Sequence, residues 1–198
     1  MPPPTAADTA RSWQLARDAT GIAWLTLDCP GASANTLSRA SLTELDGLLQ
    51  GLAADPPAGL VIASGKPGTF IAGADVNEFP ALDTPERARE LTAAGQAIIG
   101  RIAALPAPSC AVLSGHALGG GLELALACDW RLGFAGDEPV YGLPEVQLGV
   151  HPGFGGTVRA PRLLGVRQGL ELMLSGRSLR PRDALRLGLV DALAGPGD

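Results

Sequence analysis

Residues 110–128 read CAVLSGHALGGGLELALAC, and this stretch decides the fold that we expect. Its short apolar run from Cys110 to Leu113 is typical of a buried strand, and a helical pattern follows the three consecutive glycines. Glu123 is the only formally charged residue in the stretch. An ionised carboxyl in apolar surroundings costs free energy unless it is paired, hydrogen-bonded or protonated. Glu123 is therefore a candidate functional residue.

The position of Glu123 favours a catalytic role over a structural one. If the helix begins near Gly119, Gly120 and Glu123 share one face, so an amide and a carboxyl address the same small volume. Such a pair suits acid/base chemistry on an oxygen that gains negative charge. A glutamate that only stabilises the helix dipole contributes about 0.3–1 kcal/mol, less than the cost of burying an unpaired acid. The nucleotide-binding fingerprint GxGxxG is absent from this stretch, which disfavours a phosphate-binding turn.

Strands and helices alternate on both sides of this stretch. Strand patterns cover Gly21–Cys29 and Leu60–Ala63. Leucines at helical spacing follow Ser41-Leu42-Thr43-Glu44, which has the pattern of a capping box, and Thr84-Pro85-Glu86 opens a second helix. The alternation predicts an α/β domain with a largely parallel sheet, whose ligands gather at the loops leaving the strands. Further helices are expected at about residues 156–164, 167–174 and 181–187.

Length and composition indicate one globular domain. The chain has 198 residues, of which 46% are hydrophobic and 18% charged, enough for one substantial core. We expect a loose tail over residues 1–10 and a single domain over residues 11–198. A net charge of -5 without a long basic run disfavours nucleic acid as a partner.

The cysteines and the apolar segments predict a cytoplasmic location. Cys29, Cys110 and Cys128 show no CxxC spacing and lie among apolar neighbours, which predicts buried free thiols in a reducing compartment. The first ten residues lack the features of a signal peptide. No uncharged apolar stretch is long enough to span a membrane, so we expect no membrane span.

Residues 68–79, GTFIAGADVNEF, hold a Gly-Ala-Asp turn shortly after the strand at Leu60–Ala63. Gly73 can adopt a backbone conformation that other residues resist, which would leave the amide of Ala74 exposed as a donor. Taken alone, the segment is better explained as an ordinary strand-to-helix turn with Asp75 as a cap.

Residues 141–156, YGLPEVQLGVHPGFGG, hold Glu145 with no basic residue nearby in sequence. A solvated loop glutamate is the more common explanation of such a residue. Five glycines and two prolines in the segment nevertheless indicate a wall that approaches a ligand closely. Structural roles are expected for His116 and His151, because neither has the context of a catalytic triad or a metal site.

In order and spacing, the three segments together resemble the enoyl-CoA hydratase/isomerase (crotonase) family. The family pattern has an AGAD turn, then G-x-A-x-GGG-x-E-L, then PE-x-x-LG-x-x-PG-x-GGT. Here these motifs stand at Ala72–Asp75, at Gly115–Leu124 and at Pro144–Thr157. The resemblance covers about residues 13–193. It implies a crotonase-like spiral of ββα units, with a mostly parallel sheet core and flanking helices.

Within the family, residues 136–150 are most similar to the hydratase portion of multifunctional fatty acid oxidation α-subunits. The resemblance implies hydration of trans-2-enoyl-CoA to 3-hydroxyacyl-CoA in fatty acid β-oxidation. It also implies a downstream 3-hydroxyacyl-CoA dehydrogenase portion, a thiolase subunit as partner of the full-length protein, and homo-oligomer formation. The chain has no dehydrogenase fingerprint and lacks the C-terminal helices usual in the family. We therefore expect a hydratase domain truncated at its C-terminus.

The resemblance also implies roles for individual residues. The backbone amides of Ala74 and Gly120 would form the oxyanion hole for the thioester oxygen, and Glu123 and Glu145 would be the catalytic pair. Glu145 would transfer the C2 proton and Glu123 would orient the water that adds to C3. Two carboxyls that share a water cannot both ionise cheaply, so we expect coupled titrations with one pKa raised. Substrate contacts are implied for Ala72, Ala74, Asp75, Val76, Asn77 and Gly120.

Two other functions fit the same residues. A Δ3,Δ2-enoyl-CoA isomerase needs the oxyanion hole and one base, without water. A non-catalytic acyl-CoA-binding module would bind the thioester without turning it over. In each case acyl-CoA is the ligand, and no metal or redox cofactor is required.

Overall fold

A computed structural model describes residues 11–136 and 140–195. The tail predicted over residues 1–10 lies outside the described residues. The strands are β1 Trp13–Arg17, β2 Ile22–Leu27, β3 Gly59–Ser64, β4 Gly68–Ile71, β5 Ser109–Leu113, β6 Gly115–Leu118, β7 Trp130–Phe134, β8 Tyr141–Gly142, β9 Ser178–Leu179 and β10 Ala192–Ala194.

Six α-helices and two 3₁₀ helices connect the strands in the described ranges. The predicted helices near residues 156–164, 167–174 and 181–187 are confirmed. None of the helices within these ranges is long and apolar enough to cross a membrane. The helices are α1 Arg39–Ala54, α2 Pro85–Ala104, α3 Gly120–Ala125, α4 Gly156–Leu164, α5 Val166–Ser175 and α6 Pro181–Leu187, with 3₁₀ helices at Val76–Ala81 and Pro144–Leu148.

The strands form two sheets that are mostly parallel. The larger sheet has the order β1-β2-β3-β5-β7-β10, and only the β1–β2 pair is antiparallel. The smaller sheet has the order β4-β6-β8-β9, and only the β8–β9 pair is antiparallel. The predicted α/β class with a mostly parallel sheet is thus confirmed.

Successive strands alternate between the two sheets. β3, β5 and β7 belong to the larger sheet, and each is followed by a strand of the smaller sheet, β4, β6 or β8. A helix follows each of these pairs, so the chain winds as the predicted spiral of ββα units. This winding makes β4, β6 and β8 neighbours although they lie far apart in sequence.

The start of α1 differs from the predicted capping box. Ser38 is the N-cap: its side chain accepts a hydrogen bond from the amide of Ser41, whose hydroxyl accepts one from the amide of Ser38. The predicted box at Ser41–Glu44 is wrong because Ser41 already lies in the first helical turn. Glu44 instead accepts hydrogen bonds from the amides of Ser12 and Trp13 and thereby ties β1 to α1.

The core lies between the sheets and the helices. One continuous apolar cluster includes Trp13 of β1, Ile62 of β3, Phe70 of β4 and Leu122 of α3. The predicted burial of the free thiols is confirmed for Cys128, whereas Cys29 and Cys110 are half-buried.

Candidate active site

Three neighbouring parallel strands deliver the three sequence motifs to one edge of the smaller sheet. β4 leads into Ala72–Ala74, β6 leads into Gly119 and Gly120, and β8 leads into Pro144 and Glu145. The carboxyl ends of parallel strands lie on the same side of a sheet, which is where ligands bind in such folds. The amide of Gly119 donates to the carbonyl of Gly142 at 2.9 Å and joins two of the strand ends.

A cavity of about 570 Å³ opens at this edge. Apolar side chains of the first 3₁₀ helix and of α2 form part of its wall, among them Phe79 and Leu91. The polar groups that face it come from the strand ends and the segment before α4. The lining residues that matter for chemistry are Ala74, Gly120, Glu123, Glu145, His151 and Phe154.

The amide of Ala74 lies on the side opposite the pairing with Leu37, and Ala74 lines the cavity. The Leu37 amide donates to the carbonyl of Gly73 at 2.8 Å, and the Asp75 amide donates to the carbonyl of Leu37 at 3.1 Å. In extended backbone, successive residues direct their polar groups to opposite sides, so the Ala74 N–H faces away from Leu37. Gly73 has a φ of 117°, which lets the chain turn at this point.

Each of the three consecutive glycines permits a different close contact. Gly119 has a φ of 50°, and a methyl group on it would lie 2.9 Å from Oε1 of Glu145. Gly120 is the first residue of α3, so its N–H has no acceptor inside the helix, and a methyl group there would lie 3.5 Å from the Ala74 nitrogen. A methyl group on Gly121 would overlap the carbonyl oxygen of Ile71. The glycines therefore bring the Gly120 and Ala74 amides side by side.

Glu123 is almost completely buried, with 1% of its surface exposed, yet it lines the cavity. Its Oε1 accepts hydrogen bonds from the amides of Phe154 and Gly156, both at 2.7 Å. Burial raises the pKa of Glu123, while these two amides and the Arg159 guanidinium oppose the rise. Because both bonds fall on Oε1, Oε2 is the oxygen that can contact a bound molecule.

Glu145 lies on the second 3₁₀ helix, where its carboxyl has fewer hydrogen-bond donors than that of Glu123. Its Oε2 is buried and has no hydrogen-bond partner among the described residues. Burial raises the pKa of Glu145 to about 7, the Glu123 carboxylate acts in the same direction, and His151 opposes it. The solvated-loop explanation of Glu145 is thus wrong, because the strand ends and the segment before α4 enclose this side chain.

The two carboxyls differ in how well the chain stabilises their charged forms. Ionised Glu123 is stabilised by two amide donors, whereas Oε2 of Glu145 has none in the described chain. Hydrogen bonds to a carboxylate favour its charged form, so Glu145 is the carboxyl of the two that is favoured to hold a proton. The Glu123 carboxylate raises the pKa of Glu145, which is the expected direction, and coupled titration of the two groups stays a prediction. One carboxyl can therefore donate a proton while the other accepts one.

Not every residue predicted for the site faces the cavity. Ala72 and Val76 line it with Ala74 and Gly120, but Asp75 and Asn77 are absent from its lining. Asp75 caps the first 3₁₀ helix, where its Oδ1 accepts hydrogen bonds from the amide of Asn77 at 3.0 Å and from its Nδ2 at 2.9 Å. The alternative interpretation of Asp75 as a cap is confirmed.

Sequence reasoning missed the positions of His151 and Phe154. His151 lines the cavity, a position that the expected structural role does not account for. His116 does have a structural contact, since its Nδ1 accepts a hydrogen bond from the amide of Val140. Phe154 anchors Glu123 through its main chain and lines the cavity with its ring. No charge pattern marks an aromatic residue of this kind in the sequence.

The raised pKa of Glu145 predicts a pH-dependent stability change for Glu145→Gln. Between the ordinary value of 4.5 and about 7, the folded state binds more protons at this site than the unfolded chain. The free energy of unfolding of the wild type therefore falls as pH rises through this window, and the Gln variant avoids this loss. We expect the variant to melt at a higher temperature than the wild type at pH 8, and the difference to shrink at pH 5.

Thermal melts of both proteins at several pH values measure this difference. Glu90→Gln, which changes an exposed carboxyl of α2 in the same chemical way, is the matched control. A melting-temperature difference that stays constant from pH 5 to pH 8 would contradict the raised pKa.

Comparison with known proteins identifies relatives of both the sequence and the fold. The model of the family described as enoyl-CoA hydratase/isomerase matches residues 17–196. The fatty acid oxidation complex subunit alpha of Shewanella halifaxensis is 44% identical over 185 residues, which cover 93% of this chain and 26% of the relative. That of Aliivibrio fischeri is 46% identical over 178 residues, which cover 89% of this chain and 26% of the relative. The chain thus spans about a quarter of the length of these curated relatives.

Solved structures show the same architecture. An enoyl-CoA hydratase of Geobacillus kaustophilus superposes with a TM-score of 0.87 at 33% identity, covering 95% of this chain and 70% of that one. An enoyl-CoA hydratase of Bacillus anthracis superposes with a TM-score of 0.84 at 32% identity, covering 93% of this chain and 70% of that one.

Proposed function

Because this chain belongs to the enoyl-CoA hydratase/isomerase family, we propose that its cavity hydrates trans-2-enoyl-CoA to 3-hydroxyacyl-CoA in fatty acid β-oxidation. One observation carries the proposal: two amides without a hydrogen-bond partner among the described residues and two carboxyls line a single, largely apolar cavity. This arrangement supplies an oxyanion hole and an acid/base pair in one place.

The amides of Ala74 and Gly120 bind the thioester oxygen. Addition of water to C3 moves negative charge onto this oxygen, which becomes enolate-like. Each preorganised donor in a dry site stabilises such a charge by about 2.7–4 kcal/mol. The donors need no reorganisation, since β4 and α3 hold them in place.

The carboxyl pair moves the protons. A water lies between Glu123 and Glu145; its oxygen adds to C3 as its proton passes to Glu123. Glu145 then gives its own proton to C2 as the enolate collapses. Return of one proton from Glu123 to Glu145 restores the starting state, so the net change is the addition of one water. With its pKa raised to about 7, Glu145 is protonated in about half of the molecules at neutral pH and can donate.

The remaining contacts follow the family resemblance. Ala72, Ala74, Val76 and Gly120 border the thioester and the pantetheine of coenzyme A, and the apolar wall with Phe79 and Leu91 takes the acyl chain. The proposed reaction needs no metal or redox cofactor.

A direct assay tests the proposal. We expect the purified chain to remove the absorbance of the conjugated thioester when it is mixed with a short trans-2-enoyl-CoA, and the product to gain the mass of one water. Binding of the substrate without turnover would instead support a non-catalytic acyl-CoA-binding module. Absence of both binding and turnover would reject an acyl-CoA function for this chain.

The isomerase function is a second candidate, because Glu145 has a pKa raised to about 7 and a buried oxygen without a hydrogen-bond partner among the described residues. Such a group can move a proton between C4 and C2 without water. A 3-enoyl-CoA substrate distinguishes this activity, since isomerisation creates the conjugated absorbance that hydration destroys.

The longer protein is a further part of the proposal. The curated relatives are fatty acid oxidation complex α-subunits that extend well beyond the matched part. We propose that a dehydrogenase portion follows this domain and that the full-length protein forms oligomers and associates with a thiolase subunit. A GxGxxG fingerprint in the reading frame downstream of Asp198 is the expected sign of that portion.

A further inference from the structure

The ring of Phe154 fills the space between two helices at the cavity. Phe154 is 7% exposed and precedes α4. A methyl group on Gly95 of α2 would overlap the ring at Cε1. On the other side, a methyl group on Gly120 of α3 would lie 3.0 Å from ring atom Cδ2. The ring therefore lies between two glycines, and any side chain at either position would displace it.

The segment that carries Phe154 is fixed to α2. The Gln96 side chain donates from Nε2 to the carbonyl of Gly153 at 2.8 Å. Thr92 lies beside Gly153, where a methyl group on that glycine would be 3.7 Å from Cγ2 of Thr92. The ring position is thus set by α2, which also forms part of the cavity wall through Leu91.

In the proposed binding mode, Phe154 borders the path of the acyl chain. In the proposed reaction the thioester oxygen binds at the Gly120 amide, and Glu123 marks the position of C3. Phe154 adjoins both, because its ring packs against Gly120 and its amide donates to Glu123 at 2.7 Å. Acyl carbons beyond C3 continue away from the thioester, past Glu123, and there they meet this ring.

We infer that the Phe154 ring, seated between Gly95 and Gly120, sets the length of acyl chain that the cavity accepts. The inference rests on the proposed function and names its specificity-determining residue. Removing the ring opens the space between α2 and α3 to a longer chain. A side chain at Gly95 forces the ring toward Gly120 and shortens the accepted chain.

The test compares kcat/KM for four-carbon and ten-carbon trans-2-enoyl-CoA across a set of variants. For Phe154→Ala we expect the ratio of the long to the short substrate to rise at least roughly ten-fold, the scale on which apolar pockets discriminate chain length. For Gly95→Ala we expect the ratio to fall. In the double variant the new methyl group has room, so the ratio should return to that of Phe154→Ala alone.

Controls separate this effect from general damage to the fold. Gly100→Ala makes the same change on α2 where a methyl group meets nothing within 4 Å, and it should leave the ratio unchanged. Phe154→Leu removes part of the ring and replaces Phe154→Ala if that variant does not fold. Dissociation constants for saturated butanoyl- and decanoyl-CoA give a second measure of the same ratio, without turnover.

The outcomes distinguish the inference from the function on which it rests. Folded Phe154 variants whose chain-length ratios match the wild type, by turnover or by binding, would overturn the inference. A Gly95→Ala change that still lowers the ratio in the absence of the ring would overturn it as well. The wild type could bind acyl-CoA without hydrating any enoyl-CoA. If the variants then shift its ratio of dissociation constants for the long and the short acyl-CoA, the inference holds and the proposed hydration fails.

Discussion

Replacing Glu123 with Gln should lower the hydration rate by about 10²–10⁴-fold, the usual contribution of a positioned acid or base. Gln keeps an oxygen that can accept the hydrogen bonds from the amides of Phe154 and Gly156, so the loss reflects proton chemistry and not the packing of the loop. The measurement is kcat on a short trans-2-enoyl-CoA, with melting temperature as a check on folding. Glu90→Gln, on the exposed side of α2, is the matched control.

The companion variant Glu145→Gln separates the two roles. It removes the donor of the C2 proton, so hydration and isomerisation should both fall, whereas Glu123→Gln should lower hydration and spare isomerisation. Near-normal hydration by Glu123→Gln would remove this residue from the mechanism. Equal effects of both variants on both reactions would show that the roles are not divided between the carboxyls.

Removing the Gly120 amide is the second change with a large expected effect. Gly120→Pro deletes the N–H at the first position of α3, where proline is tolerated because no helical hydrogen bond is lost. Gly120→Ala adds the same Cβ atom, 3.0 Å from the Phe154 ring, but keeps the N–H. The Pro variant should therefore turn over about 10²–10³-fold more slowly than the Ala variant, as expected for one oxyanion donor.

The comparison between these two variants keeps the Cβ atom constant and changes the main-chain nitrogen, which in proline loses its N–H and carries the ring atom Cδ instead. Both should fold, which circular dichroism and melting temperature check, and kcat is the informative quantity. Equal kcat values for the Pro and Ala variants would exclude the Gly120 amide from the oxyanion hole. A similar fall in the affinity for saturated acyl-CoA would indicate that the donor acts on binding and not on the transition state.

Local sequence patterns were sufficient to predict the longer helices. The capping residue Thr84 and the proline after it predicted the start of α2, and periodic apolar residues predicted α4 and α6. The short strands of the smaller sheet escaped prediction. β8 has only two residues, Tyr141 and Gly142, and its pairing with β6 and β9 defines it more than its own sequence does.

Some residues of the candidate site could likewise be recognised from local sequence, and others could not. Glu123 was recognisable because it is the single charge in an apolar stretch, and burying such a charge is costly wherever the chain folds. Glu145 was ambiguous, since nothing near it in sequence reveals that Oε2 is buried. The role of Asp75 as a helix cap could be predicted from its immediate neighbours in sequence, and the structure confirms it.

The amino-acid sequence was sufficient to predict the α/β class, the positions of the strong helices, and the resemblance that links three motifs to one chemistry. Those properties depend on residues close together along the chain, or on a motif order that can be read directly. Only the tertiary structure decided that Ala74, Gly120 and Glu145 share one cavity, and that Phe154 lies between α2 and α3. β4, β6 and β8 become neighbours through parallel pairing within the smaller sheet, and the burial and proton affinity of the carboxyls follow from that contact.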